Sequence, residues 1–475
     1  MSPSRPDLSK FSPAEKRALL AKLLLQQKAK EALDALETHR ADALDQFAVR
    51  VTDLEGEAVL DDAIRPGSEP VKGATRPAHI FLTGATGFLG AFLLHELLQR
   101  TDATVHCLVR CADVSAGRRR IERNLAAYLP GTNAAPSRII PVVGDLSRPL
   151  LGLSPKQFSA LAARIDTIYH NGAAVNWISS YKRLKPVNVD GTQETLRLAS
   201  CTTVKPVHVI SSLSVFPLAP DRQGKVVRES DSLDHGGILY GGYTQSKWVA
   251  EKLAAIARSR GLPVTVYRPG IITGHSETGA WNTDDFMSRL IKSWTELGCA
   301  PDLDGATDMT PVDYVSRATV HLSLSEQASG KVFHLVNPRQ VHVRELVAWL
   351  SSLGYPIERV SYDRWRTALL SRAGHFKDEA AYSLVPLFSA RTHEDASRTG
   401  DGRPEPNGQN TVDQIGSIMA AQYAAQSVTF DDQLTRDALA GSPIACPAVD
   451  AQVFARYFSH FIRTGFLRAP VLRDG

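Results

Sequence analysis

Between residues 79 and 270 the chain repeats one alternation, a short β-branched run followed by a stretch of helical periodicity. The runs are HIFLTG (79–84), TVHCLVR (104–110), RIIPVVGD (138–145), TIYHNGA (167–173), PVHVISS (206–212) and PVTVYRPG (263–270). Strands separated by helices cannot pair as hairpins. Each return needs a crossover, so the strands run parallel and helices cover both faces. The predicted fold class is therefore α/β with a doubly wound parallel sheet. Past about residue 336 the alternation fades and helical patterns such as HVRELVAWLSSL and DAQVFARYFSHFIRTGFL take over, which predicts a smaller, mostly helical C-terminal domain. The expected division is an N-terminal helical arm over 1–76, a nucleotide-binding domain over 77–335 with some segments lent to its neighbour, and the helical domain over 336–475.

Two flanking segments carry their own signals. Residues 12–15, Ser-Pro-Ala-Glu, combine a serine N-cap, a proline at the first helical position and a glutamate placed to close a capping box. A helix should start there, with Leu19, Leu20, Leu23 and Leu24 forming one apolar stripe. Folded back, it would pack on the body; free, it would dock a partner. Residues 53–76 turn Gly-, Glu- and Pro-rich, as in a linker or wrapping arm, and residues 389–413 are polar and turn-rich, as in a mobile loop.

Charge and cysteines narrow the function classes. A net charge of +4 over 475 residues is too mild for nucleic acid to be the main partner. The five cysteines are scattered and form no Cys-x-x-Cys pair with matching histidines, so neither a disulfide framework nor a structural zinc is expected. No window approaches an uninterrupted membrane span, and ALLAKLLL is broken by Lys22; a cytoplasmic protein with no metal is the expectation.

The first strand runs directly into TGATGFLG, with Gly84, Gly87 and Gly90 three residues apart, and then into the helical pattern AFLLHELLQR. Glycines at that juncture let the backbone approach a pyrophosphate, whose charge is favoured by the free N–H groups and dipole of the helix start. A dinucleotide is the expected ligand. At the end of the second strand an NAD site offers a carboxylate to the ribose, whereas an NADP site offers arginine to the 2′-phosphate. Here the strand ends in Arg110. NADPH is therefore expected, with Arg118, Arg119 and Arg120 in helping range; the same triple also fits a solvated helix face.

The catalytic candidates lie further on. Tyr243 and Lys247 are spaced i, i+4 in YTQSKWVAEKL, so a helix brings phenol and ammonium onto one face, where the cation would lower the phenol pKa. That spacing alone fits an ordinary half-buried helix. Ser211 and Ser212 end the strand PVHVISS, and ligands of an open parallel sheet sit at the carboxyl ends of its strands. Ser212, Tyr243 and Lys247 can therefore share a site: serine to bond a carbonyl oxygen, tyrosine to give it a proton, lysine to tune the tyrosine and hold the ribose.

TGATGFLG, HNGAAVN, NVDGT, VISSLSVF, YTQSK and YRPG together resemble the extended short-chain dehydrogenase/reductase family over roughly 78–335, a Rossmann fold. More narrowly, CLVR, HNGAAVNW, YTQSKWVAEKL, TPVDYVSRA and the tail SPIACPAVD with YFSHFIRTGFL resemble the thioester reductase domains that end nonribosomal peptide and polyketide assembly lines. SPAEKRALLAKLL looks like the linkers joining modules of such systems. The resemblance implies cofactor contacts by Thr83, Gly84, Thr86, Gly87, Phe88 and Gly90 in the loop, by Arg110 and Arg120 at the 2′-phosphate, and by Asp145 and Leu146 at the adenine. It further implies that Asn171 and Ala173 line the path of the cofactor backbone, that Pro269 lies near the nicotinamide, and that Ser212, Tyr243 and Lys247 are catalytic. Thioester reductases often have threonine at the position of Ser212, and serine supplies the same hydroxyl.

The implied reaction is NADPH-dependent reduction of an acyl or peptidyl thioester held on the phosphopantetheine of a carrier protein, releasing an aldehyde or, after a second hydride, a primary alcohol. Lys182, Arg183 and Lys185 are candidate contacts for an acidic carrier and equally suit a solvated charge cluster. No adenylation region or carrier serine motif is evident in residues 1–77, which fits either an excised domain or a standalone enzyme. The alternative is an extended reductase or epimerase acting on a free small molecule such as a nucleotide sugar. Acyl identity, hydride number and oligomeric state are left open by the sequence.

Overall fold

The computed structural model describes residues 48–67, 75–131, 136–177, 179–216, 226–234, 236–303, 305–372, 384, 388 and 428–470. The expected N-terminal helix and the polar segment 389–413 lie outside the described residues.

The six β-branched runs form six parallel strands: β1 (His79–Thr83), β2 (Thr104–Val109), β3 (Ile139–Val143), β4 (Thr167–His170), β5 (Val207–Ile210) and β6 (Val264–Pro269). A seventh, β7 (Val332–Leu335), completes the sheet at one edge. The sequence pattern does not predict it, because VFHL is short and carries a histidine. In the fold that His334 is buried and meets Arg268 of β6 at 3.3 Å. The strand order is β7-β6-β5-β4-β1-β2-β3, so the direction of winding reverses between β1 and β4. Crevices of such sheets open at that reversal, beyond the carboxyl ends of the strands.

The crossovers are α1 (Phe88–Arg100), α2 (Val114–Tyr128), α3 (Pro155–Arg164), α4 (Tyr181–Lys185), α5 (Gly191–Ser200) and α6 (Gly242–Ser259). Local chemistry sets their starts. Asp113 accepts from the Ala116 N–H to cap α2, and Ser154 closes a capping box with Gln157 on α3. Between α4 and α5 the chain passes through a π-helical turn, Pro186–Asp190, a widening that recurs at functional sites. Apolar faces bury against the sheet on both sides. Phe158, Leu196, Trp248 and Leu253 cover one face. On the other, Phe92, Leu94 and Leu97 of α1 pack with Val315 and Ala318 of α7 (Val312–Ser323).

The segment read as a linker or arm wraps and inserts. Ala48–Arg50 pairs antiparallel with Ile238–Tyr240, and Val51, Leu54, Leu60 and Ile64 are buried in the first core. Arg260 of α6's C-cap fastens it by donating to the Leu60, Asp61 and Ile64 carbonyls.

A third core gathers Trp281, Met287, Ile291 and Trp294 with Leu346, Leu350, Trp365, Phe454, Phe458 and Phe461. Its helices are α8 (Val343–Ser352), α9 (Tyr362–Arg372) and α10 (Ala451–Arg463), together with the earlier helix Phe286–Leu297. The helical unit thus takes in residues on both sides of position 336.

Candidate active site

A cavity of about 800 Å³ opens over the carboxyl ends of the strands, between the sheet and the helical unit. At its cofactor end β1 gives way to Gly84, whose φ of +75° is the left-handed conformation that glycine adopts freely. A Cβ on Gly84 would lie 2.8 Å from the Gly172 Cα, so this glycine is also required by close approach. At Gly90 a Cβ would overlap the Gly84 carbonyl oxygen; that residue lets α1 start tight against the turn and does not line the cavity. Gly87 caps α1 without any side-chain acceptor. The first N–H groups of α1 are therefore available to an anion.

Gly84, Thr86, Gly87, Phe88, Arg110, Arg120, Asp145, Leu146, Asn171, Ala173, Ser212, Tyr243, Lys247 and Pro269 all line this cavity. Thr83 does not. It is fully buried beneath the turn, where its hydroxyl accepts from the Gly172 N–H at 2.8 Å and meets His170 Nδ1 at 3.1 Å. Its side chain ties β1 to the loop after β4 and has no surface to offer a ligand.

The end of β2 presents cationic side chains. Arg110 is exposed at the cavity wall, and Arg120 donates to the Arg110 carbonyl at 2.8 Å. Arg118 is committed elsewhere, donating to the Pro136 and Ile139 carbonyls. The nearest acid in sequence, Asp113, is used as the cap of α2. Asp145 lies across from Arg110. Burial acts to raise its pKa, but hydrogen bonds from the Ser147 N–H and hydroxyl, with the charges of Arg110 and Arg148, hold it below the usual value.

At the other end, Tyr243 is the second residue of α6, placed there by Gly241 at φ +82°. Gly242 packs so closely on the start of α4 that a Cβ would overlap the Tyr181 nitrogen. Lys247, one turn on, donates from Nζ to the Ile210 carbonyl at the end of β5, 2.6 Å away. The i, i+4 spacing predicts that the ammonium lowers the phenol pKa, and the structure shows the opposite balance. Burial pushes Tyr243 up to about 12, and burial brings Lys247 down to about 8 against the opposing pull of Glu251. Desolvation is the leading cause of both shifts.

The two serines at the end of β5 part company. Ser211 donates to the Glu251 carboxylate, which also takes two hydrogen bonds from Arg268, at 2.8 and 2.6 Å. Ser212 Oγ accepts from the Ser214 N–H at 3.1 Å, which leaves its own proton to donate.

Several neighbours lie outside the set that the sequence singles out. Asn188, in the π-helical turn, accepts from the Ala174 N–H at 2.7 Å, donates to the Ala174 carbonyl and to Ser246 Oγ, and Ser246 in turn donates to the Tyr243 carbonyl. One buried amide thereby joins the loop after β4 to the helix of Tyr243. Its signal is present in NVDGT, but nothing local distinguishes it from other helix polar residues. Trp177 lies beside Tyr243, with ring centroids 5.4 Å apart. Phe286, Asp308, Val428 and Phe430 complete the wall from distant segments. Of the proposed basic contacts on α4, Lys182 and Arg183 are exposed, while Lys185 pairs with Glu57 of the arm at 2.6 Å. Among the described residues no cluster of three His, Cys, Asp or Glu suits a metal ion, and no helix is long and apolar enough to cross a membrane.

Residues 82–319 match the family model described as male sterility protein. Over 417 residues the chain is 41% identical to a component of the linear gramicidin synthase of Brevibacillus parabrevis, a match that spans 87% of this chain and 8% of that protein. It is 37% identical over 428 residues to the isonitrile lipopeptide synthase of Streptomyces coeruleorubidus, covering 89% of this chain and 27% of that one. The chain thus spans less than a third of either relative. Among solved structures, the terminal R domain from the myxalamid PKS-NRPS biosynthetic pathway superposes with a TM-score of 0.75 at 42% identity, over 88% of this chain and 99% of that one.

Proposed function

The chain belongs to the male sterility protein family, within the extended short-chain dehydrogenases/reductases, and from that premise we propose that it is an NADPH-dependent reductase of carrier-bound acyl or peptidyl thioesters. The observation that carries the proposal is the shared cavity of the glycine turn, Arg110, Ser212, Tyr243 and Lys247. The likeness to a terminal R domain over nearly all of that domain's length supports it.

The cavity suits a nicotinamide dinucleotide. The turn that any Cβ at Gly84 would obstruct, and the uncapped start of α1, suit its pyrophosphate. Arg110 and Arg120, where an NADH site would carry a carboxylate, suit a 2′-phosphate, which selects NADPH over NADH. When bound, the cofactor supplies hydride to the thioester carbonyl.

The chain's own groups do the rest. The Ser212 hydroxyl, its acceptor side already taken by Ser214, donates to the carbonyl oxygen and fixes its position. Tyr243, a phenol protonated at neutral pH and pushed further up by burial, gives its proton to the oxyanion as charge builds. Lys247 keeps two ammonium donors beyond its bond to Ile210, one for a ribose hydroxyl and one toward the phenol. The thiohemiacetal then expels the thiol and leaves an aldehyde, whose reduction by a second hydride in the same site gives the alcohol. The partner is an acyl or peptidyl carrier protein, whose phosphopantetheine arm enters the cavity mouth.

The test follows NADPH absorbance with an acyl thioester loaded on a carrier protein, against the free N-acetylcysteamine thioester and a Tyr243→Phe control. Expected are faster oxidation on the carrier, aldehyde or alcohol by mass spectrometry, and a loss of roughly 10²–10⁴-fold in the control. Tight NADPH binding with no thioester reduced would refute the proposal and turn attention to free carbonyl compounds such as nucleotide sugars.

A further inference from the structure

Trp177 sits where the loop after β4 meets the helical unit, and its indole is flanked by two aromatic rings. The Tyr243 ring is 5.4 Å away at 54°, and the Phe286 ring is 6.0 Å away at 50°. All three residues line the cavity. Neither flank is free to drift. The loop is held at Ala174 by both hydrogen-bonding ends of the buried Asn188. Phe286 begins its helix at a cap made by Asp285, which accepts from the Ser288 N–H at 2.8 Å, and the next turns anchor Met287, Leu290 and Ile291 in the third core.

A carbonyl oxygen in reach of the Tyr243 hydroxyl places its acyl α- and β-carbons within a few bonds of that ring, on which Trp177 packs inside the same cavity. We propose that Trp177 and Phe286, packed on each other, form one wall of the slot that receives the acyl group next to the reacting carbonyl, with Trp177 as the specificity-determining residue, and that the slot favours acyl groups that are apolar and unbranched at those carbons. This rests on the thioester reductase reading above. The wall is two aromatic faces, one belonging to each unit of the fold, and such walls accept a slender apolar chain while a branch must displace a ring. One misplaced methyl group in such a site changes kcat/KM by about 10–200-fold.

The experiment compares N-acetylcysteamine thioesters of a straight-chain acid and of its 2-methyl-branched counterpart. Proteins are the wild type, Trp177→Ala, Trp177→Phe and Phe286→Ala, with the NADPH dissociation constant measured for each. Expected is a strong wild-type preference for the straight chain, reduced about tenfold or more in Trp177→Ala and by less in Trp177→Phe and Phe286→Ala, with cofactor affinity unchanged. Equal loss of both activities, or a wild-type ratio near one, overturns the slot. If Trp177→Ala fails to fold, an unmoved ratio in Trp177→Phe and Phe286→Ala overturns it equally. A wild type that binds NADPH and reduces neither thioester overturns the reductase reading and the slot together, which separates the two failures.

Discussion

Replacing Arg268 by methionine should be among the most damaging single changes outside the cavity. Arg268 and Glu251 are each 3% exposed and joined at 2.6 Å, with a second bond at 2.8 Å from Nε. The guanidinium also lies 4.7 Å from the Phe216 ring centroid and meets His334 at 3.3 Å. Removing it leaves the Glu251 carboxylate buried with the Ser211 hydroxyl and only the more distant charges of Lys247 and Arg258, and breaking a buried pair by removing one partner costs about 3–5 kcal/mol. For a chain of 475 residues, whose unfolding entropy is about 1 kcal/mol/K, that corresponds to a fall in Tm of roughly 3–5 °C. Glu251→Leu alone should cost a similar amount, because it strands the guanidinium. The double variant Glu251→Leu, Arg268→Met restores an apolar fit and should lie within about 1 kcal/mol of the wild type. Denaturant unfolding read by the fluorescence of the buried tryptophans, Trp248, Trp281, Trp294 and Trp365, run as a double-mutant cycle, supplies all four values. A single variant costing less than about 1 kcal/mol, or a double variant no more stable than the worse single, would refute the reasoning.

Other outcomes follow from the same geometry. Gly90→Ala should abolish NADPH binding by fluorescence titration and lower stability by about 1–3 kcal/mol, since the new methyl overlaps the Gly84 carbonyl; unchanged affinity would show that the turn yields. Arg110→Gln should weaken NADPH by about 10–100-fold while leaving NADH nearly unaffected, which competition binding with the two cofactors would reveal. Lys247 falls from 10.5 to about 8 in the folded state, so between those pH values the unfolded chain holds the extra proton and stability rises with pH, on the order of 3 kcal/mol. Turnover should fall with a midpoint near pH 8, where the folded ammonium is half lost, and Lys247→Met should flatten that rise in stability. His170 and His208, both buried and lowered from 6.5 to about 3, act at the other end of the scale. Their folded forms resist protonation that the unfolded chain accepts, so stability should drop steadily as pH falls below 6.5, visible as a declining Tm.

Six of the sheet's strands were legible because each is a run of β-branched residues whose apolar character shows without context. β7 was not, because its histidine is acceptable in a buried strand only where Arg268 and the Asp431 carbonyl meet it, and those partners are distant in sequence. The glycine turn was readable because its constraint is local: a backbone reversal between strand and helix. The substrate side was much less so. Trp177, Phe286 and the pair Val428 and Phe430 come from three separate segments, and no periodicity links the three. Thr83 illustrates the converse limit. Its place beside Gly84 suggests contact with a ligand, yet its hydroxyl faces into the protein, toward Gly172 and His170. The Tyr243 and Lys247 pair was placed by spacing, but the sign of the pKa shift depended on burial, which spacing does not encode.

The stretch that enters beside Ile238–Tyr240 sets the terms on which this unit can be moved between proteins. A graft that joined foreign sequence at the first recognisable motif, near residue 77, would discard Val51, Leu54, Leu60 and Ile64 from the interior. It would also remove the strand Ala48–Arg50 from alongside the segment leading to Tyr243, and the Glu57 carboxylate that holds Tyr181 and Lys185. A junction made before Ala48 retains all three. The transplantable piece is thus longer than its motifs suggest, and among the described residues packing carries it upstream at least to Ala48.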